Sequence, residues 1–229
     1  MTRTNEFNQP IGSAIPGWTP RPRPGAVTLT GRTCRLEPLS AAMHADDLYT
    51  AYSKAPDGRD WTYLFVGPFD SAEQYRLYAE ACEQSSDPLH YAIIDLASAK
   101  AVGTLSLMRI DPIYGVIEVG HVTLSTEAQY LLMTYVFDEL GYRRYEWKCD
   151  SLNAPSRKAA PRLGFTFEGI FRHALIYKGR SRDTAWYSII YPEWAALKAG
   201  FEAWLSTENF DDHGGQRQSL AALRETNTK

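Results

Sequence analysis

Two polar side chains able to meet a ligand stand three residues apart in Asn153-Ala154-Pro155-Ser156. Ahead of them, Arg144-Tyr145-Glu146-Trp147-Lys148-Cys149 alternates polar with apolar residues, as a strand with one buried face does. Behind them, Pro155 suits a first helical turn, where its missing N–H does no harm, and Gly164 suits a left-handed C-cap. Strand, loop and short helix therefore follow in that order. At such a junction backbone N–H groups and side-chain donors can bind a ligand lying across the strand ends. Both residue types are also favoured as plain helix caps, so two readings are open. A further candidate is Glu118 in Glu118-Val119-Gly120-His121-Val122-Thr123-Leu124. Its carboxylate can act as a general base, directly or through water, or lie solvated in an ion pair. His121 is an alternative base, although a lone strand histidine is more often structural.

Composition narrows the chemistry. Cys34, Cys82 and Cys149 are far apart, and the five histidines form no His-Glu-x-x-His pattern, which predicts no metal and a reducing compartment. A net charge of −3 gives no general attraction to nucleic acid or to an anionic membrane. Without an apolar run of signal-peptide or membrane-spanning length, the chain reads as soluble and cytoplasmic. Residues 1–25 carry Pro10, Pro16, Pro20, Pro22 and Pro24 and read as an extended arm, and 26–205 as a single domain. Residues 206–229 are rich in polar and breaker residues, which predicts a flexible tail.

The elements that must position those side chains follow from period. Val27 to Glu37 suggests a first strand pair or a bent strand. Ser40 and Asp70 or Ser71 are plausible N-caps for helices over 41–54 and 72–84. Between these helices lies an aromatic loop with Trp61, Tyr63 and Phe69. Strands over 90–96, 101–110 and 116–125 are joined by links short enough to require an antiparallel meander. A helix over 127–140 then forms a crossover to the strand near Trp147, as parallel neighbours require. A hairpin over 166–191 and a C-terminal helix to Leu205 complete the pattern. The fold class is α/β (α+β), a mixed, mostly antiparallel sheet of about seven strands with helices on both faces.

Asn153 to Ser156, then Ala159-Ala160, Leu163-Gly164-Phe165 and Glu168-Gly169, resembles the strand-to-helix segment of the Gcn5-related N-acetyltransferases. Within that superfamily the segment is most similar to the RimJ/RimL-like branch of ribosomal-protein alanine acetyltransferases. The resemblance covers about Val27 to Tyr191 and implies the acyl-CoA N-acyltransferase fold. It further implies acetyl-CoA as donor and a protein N-terminus or small amine as acceptor. By the same resemblance Glu118 and Ser156 are the catalytic candidates, a base and a partner of the leaving thiolate. His121, Val122, Thr123, Leu124, Thr126, Asn153, Ser156 and Arg157 would hold the donor, with a backbone N–H near Val122 or Thr123 polarising the thioester. Trp61, Tyr63 and Phe69 would border the acceptor. A homodimer through the C-terminal strands and helix is an option offered by Trp186, Trp194 and Trp204, which equally suit a core.

Two departures from the family pattern stand out. Relatives carry a loop that cradles the CoA pyrophosphate ahead of Thr126-Glu127-Ala128, whereas here Ser125 runs straight into that helix. A chain break at Ser125/Thr126 is therefore expected, and a non-catalytic acyl-CoA-binding module with a decayed loop is the alternative function. Pro161 removes a helical hydrogen bond at a cost of about 3 kcal/mol, which predicts a kinked or very short helix.

Overall fold

Strand alternation sets the layers. On one face of the sheet Leu36, Tyr91, Ile93, Leu105, Leu107, Ile117, Val119, Tyr145 and Trp147 enter the main core, while Ala92, Ile94 and Ala101 enter a second core on the other face. Each fully buried large side chain of this kind contributes about 1.5–3 kcal/mol. The computed structural model describes residues 3–121 and 125–226. A short hairpin, β1 (Arg3–Thr4) and β2 (Pro10–Ile11), precedes β3 (Leu29–Thr30) and β4 (Cys34–Pro38). Then come α1 (Ala41–Tyr52), α2 (Ala72–Glu83), β5 (Leu89–Asp95), β6 (Lys100–Asp111), β7 (Val116–Gly120) and α3 (Thr126–Thr134). The chain closes with β8 (Arg144–Asp150), α4 (Ala154–Leu163), β9 (Thr166–Tyr177), β10 (Arg180–Ile190), α5 (Tyr191–Leu205) and α6 (Leu220–Thr226).

The sheet runs β3-β4-β5-β6-β7-β8-β10-β9 and is antiparallel except between β7 and β8. It has eight described strands where about seven were expected, because the 27–37 region turns back on itself at Gly31, whose N–H bonds the Cys34 carbonyl at 2.9 Å. The parallel pair is the one the crossover required. Ala128, Leu132 and Val136 are fully buried at helical spacing, so α3 and the π-helical turn after it (Tyr135–Glu139) lie against the main core.

The chain ends are tied to this frame. Tyr91 Oη donates to the Gly25 carbonyl, Gly25 N–H to Tyr135 Oη, and Tyr142 Oη to the Pro22 carbonyl, at 2.9–3.1 Å. The 206–229 segment, expected as a flexible tail, folds back in its described part. Leu220 of α6 is buried, and the Arg224 guanidinium donates to the Pro161 and Arg162 carbonyls at 2.8 Å. Those bonds satisfy carbonyls near the end of α4, which runs on through Pro161 to a left-handed Gly164 (φ 105°) and is neither short nor broken there.

Candidate functional site

β7 and β8 pair from Val116↔Arg144 to Val119↔Trp147, and among the described residues the ladder ends there. β8 goes on pairing with β10 as far as Asp150↔Thr184. One edge of Lys148-Cys149-Asp150 is thus left outside the β7 ladder, at the point where α4 begins. The expected strand over 116–125 is shorter than predicted. β7 stops at Gly120, and His121 leaves it in a left-handed conformation (φ 52°). Val122, Thr123 and Leu124 lie outside the described residues.

The break expected at Ser125/Thr126 is not found. Ser125 is the N-cap of α3: its Oγ accepts from Ala128 N–H at 3.3 Å and its carbonyl from Gln129 N–H at 3.1 Å. The first turn of α3 carries an anion that is committed to the 32–34 segment. Glu127 is buried and its carboxylate accepts from the N–H groups of Arg32, Thr33 and Cys34 and from the Thr33 hydroxyl. Thr126 Oγ1 accepts from Arg162 at 2.7 Å. Arg32, Thr33, Ser125, Trp204 and Phe210 line a hollow of about 200 Å³ over this turn.

At the start of α4 the geometry is that of a cap. Asn153 Oδ1 accepts from Ser156 N–H at 3.1 Å, Ala154 N–H bonds the Leu152 carbonyl, and Pro155 has no N–H. What remains for a ligand is the Asn153 amide nitrogen and the Ser156 hydroxyl. Ser156 Oγ accepts from Trp147 Nε1 at 2.9 Å and touches the Cys149 thiol, which burial pushes up and Ser156 pulls down. Arg157 is exposed and lies back against the Ser151 carbonyl and Tyr187 Oη, at 3.1 and 3.4 Å.

Glu118 occupies the opposite face of the sheet, and it is paired. Its carboxylate is 2.8 Å from Lys148 Nζ and 3.2 Å from Arg109 Nε, while Lys148 also reaches Glu146 at 2.7 Å and lies 3.8 Å over the Trp186 ring. Burial raises the Glu118 pKa, opposed by Lys148 and then Arg109. The sequence signal for these partners was the alternation Arg144, Glu146, Lys148, Asp150: opposite charges two apart on one strand face, buried rather than solvated. His121 stands 5.1 Å from the His90 ring, and burial lowers both imidazoles, His90 to about 4. Both are neutral at pH 7.

Trp61 and Phe69 pack edge-on, 5.3 Å apart, and with Tyr49, Tyr52 and Tyr75 line a hollow of about 150 Å³ beside α1 and α2. A side chain on Gly67 (φ 65°) would strike the Trp61 ring at 2.3 Å, which explains the glycine. Tyr63 is half-buried and joins no ring pair among the described residues. This loop is pinned by the β9–β10 hairpin. Lys178 Nζ donates to the carbonyls of Trp61, Val66 and Gly67 at 2.7–3.2 Å, and Arg180 to that of Thr62 at 2.8 Å. Among the described residues no three His, Cys, Asp or Glu side chains converge as a metal site, and no helix is long and apolar enough to cross a membrane.

A mixed sheet whose one parallel pair opens beside a helix start is the frame of an acetyltransferase. The family profile described as Acetyltransferase (GNAT) domain matches residues 34–166, and the chain belongs to that family of N-acetyltransferases. It is similar to the crystal structure of a GCN5-related N-acetyltransferase from Brucella melitensis: 47% identity, 92% of this chain and 100% of that one covered, TM-score 0.90. It is also similar to YdaF of Bacillus subtilis (strain 168), provisionally named a ribosomal N-acetyltransferase, at 31% identity over 60% of this chain and 80% of that protein. The Salmonella typhimurium acetyl transferase described as modifying the N-terminal serine of ribosomal protein L7/L12 shares the fold, at TM-score 0.58 and 23% identity, over 70% of this chain and 96% of that one.

Proposed function

We propose that the chain transfers an acetyl group from acetyl-CoA directly to a primary amine, a protein N-terminus or a small molecule, without a covalent enzyme intermediate. The observation that carries this reading is the open edge of Lys148-Cys149-Asp150, with which a pantetheine arm can pair as an added strand. When bound, the donor supplies the activated thioester. The Asn153 amide nitrogen and exposed Arg157 and Lys158 stand at that edge to meet its polar part. At α3 the fit is poorer, because the Glu127 carboxylate, held by the 32–34 N–H groups, places a like charge beside any phosphate at that helix start. In this reading Glu118 takes the proton that the amine loses, and its raised pKa makes it the stronger base. Lys148 and Arg109 hold that carboxylate in place.

The test is calorimetry with acetyl-CoA on the full chain, followed by CoA release with a panel of amines. Acetyl-CoA is expected to bind, and Glu118→Gln to lower kcat by about 100-fold with donor affinity unchanged. Absence of donor binding would sink the reading. Donor binding without transfer to any amine would instead fit a non-catalytic acyl-CoA-binding module, for which the commitment of Glu127 to the 32–34 segment is the favouring observation.

A further inference from the structure

Arg182 of β10 is 7% exposed and, unlike Lys148, makes no ion pair with a carboxylate among the described residues. Its Nε donates to Thr184 Oγ1 at 3.2 Å, and among the described residues its two terminal nitrogens make no hydrogen bond or ion pair. The carboxylates near it in register are engaged elsewhere. Asp150, opposite Thr184, accepts from Leu152 N–H and Tyr177 Oη at 2.8 and 2.7 Å, and Asp183 accepts from His173 N–H at 2.7 Å. The guanidinium sits 5.6 Å from the Phe65 ring and 6.0 Å from that of Tyr177. A second guanidinium, Arg180, lies 5.1 Å over the same Tyr177 ring.

A guanidinium stays charged in a protein, and the terminal nitrogens of Arg182 keep contact with solvent, where an anion can reach them. Its planar fork matches a carboxylate in two parallel hydrogen bonds better than any other side chain does. Phe65 belongs to the aromatic loop that the hairpin pins, and Asp150 ends the open edge of β8. Arg182 therefore stands between the loop and the strand end of the proposed transfer site. Trp186, four residues further along β10, faces Lys148, so the Lys148–Glu118 pair is about 13 Å away along the strand at 3.3 Å per residue.

We propose that Arg182 recognises the acceptor: its free terminal nitrogens hold a carboxylate at the far end of an elongated amine. A short peptide with a free C-terminus is the simplest such molecule. This inference rests on the acetyl-transfer reading above and names its substrate class. A free α-amino acid is too short to span from Arg182 to Glu118, and a basic protein tail has the wrong charge for this end of the site.

The experiment uses the full chain and titrates triglycine and trialanine, as free acids and as C-terminal amides, by calorimetry with and without CoA. The free acids should bind at least tenfold more tightly than the amides. Arg182→Gln should remove that preference, and Arg182→Lys, which keeps the charge and loses the fork, should keep part of it; melting curves report folding of both variants. Equal binding of acid and amide, no binding of either, or a preference that survives Arg182→Gln would overturn the proposal. So would an Arg182→Gln variant whose only loss is acetyl-CoA affinity, since the guanidinium would then serve a donor phosphate. Peptide discrimination in a chain that does not bind acetyl-CoA would overturn the acetyl-transfer reading and leave the Arg182 assignment standing.

Discussion

The starts of α3 and α4 are alike in sequence logic and opposite in outcome. Each follows a strand of the parallel pair, and each is capped by a side chain that accepts from the N–H three residues on, Ser125 from Ala128 and Asn153 from Ser156. At α3 the first turn brings its own anion: Glu127, gripped by three backbone N–H groups of the 32–34 segment and roofed by Trp204 and Phe210. At α4 the cap is a neutral amide and the neighbours, Arg157 and Lys158, are exposed cations. The same backbone device thus serves assembly at one end of the cleft and leaves the other end able to bind.

The sharpest way to break this contrast is Glu127→Ala, which leaves the 32–34 donors unsatisfied. It should cost about 3 kcal/mol, a fall of about 9 °C in Tm measured by calorimetric melting. If it melts like the wild type, Glu127 is no keystone of the α3 and 32–34 contact. Acid titration sharpens the same point. Burial raises the Glu127 carboxyl, but the Thr33 hydroxyl and the N–H groups of Arg32, Thr33 and Cys34 outweigh it and hold the pKa below its ordinary 4.5. A group depressed in the fold contributes fully above its unfolded value and loses that contribution as pH falls. The Tm gap between wild type and Glu127→Gln should therefore be constant above about pH 4.5 and shrink below it. A gap that widens in acid would reverse the assignment. At α4 the corresponding change is smaller and carries no pH dependence of its own: Asn153→Ala should cost about 1 kcal/mol, or about 3 °C. It should weaken acetyl-CoA by about fivefold, and an unchanged isotherm would leave Asn153 a cap and nothing more.

Local pattern made the frame legible. The 144–149 alternation, Pro155 and Gly164 located β8 and α4, and the short links of the 90–125 region located the antiparallel meander, because each of these signals acts within a few residues. Strand ends were less visible: the apolar run through Leu124 hid the turn at His121, whose left-handed backbone has no sequence mark. Pairing across the sheet was least visible. That Glu118 meets Lys148, or that Glu127 meets the 32–34 segment, depends on partners 30 and 93–95 residues away. Arg182 gave no signal because what sets it apart is the lack of a carboxylate partner among the described residues, and only the assembled sheet reveals that.

The N-terminal arm has a consequence in time. Gly25 and Pro22 satisfy the hydroxyls of Tyr135 and Tyr142, which lie 110 and 120 residues further along. On a ribosome the arm emerges ahead of these partners and must wait until most of the domain has been made before they exist. Until then it is held by nothing on that side of the core, and those buried phenols have no acceptor or donor until it arrives. Residues made early are thus among the last to find their place, so removal of the 22–25 segment should show itself in the yield of folded protein before it shows in catalysis.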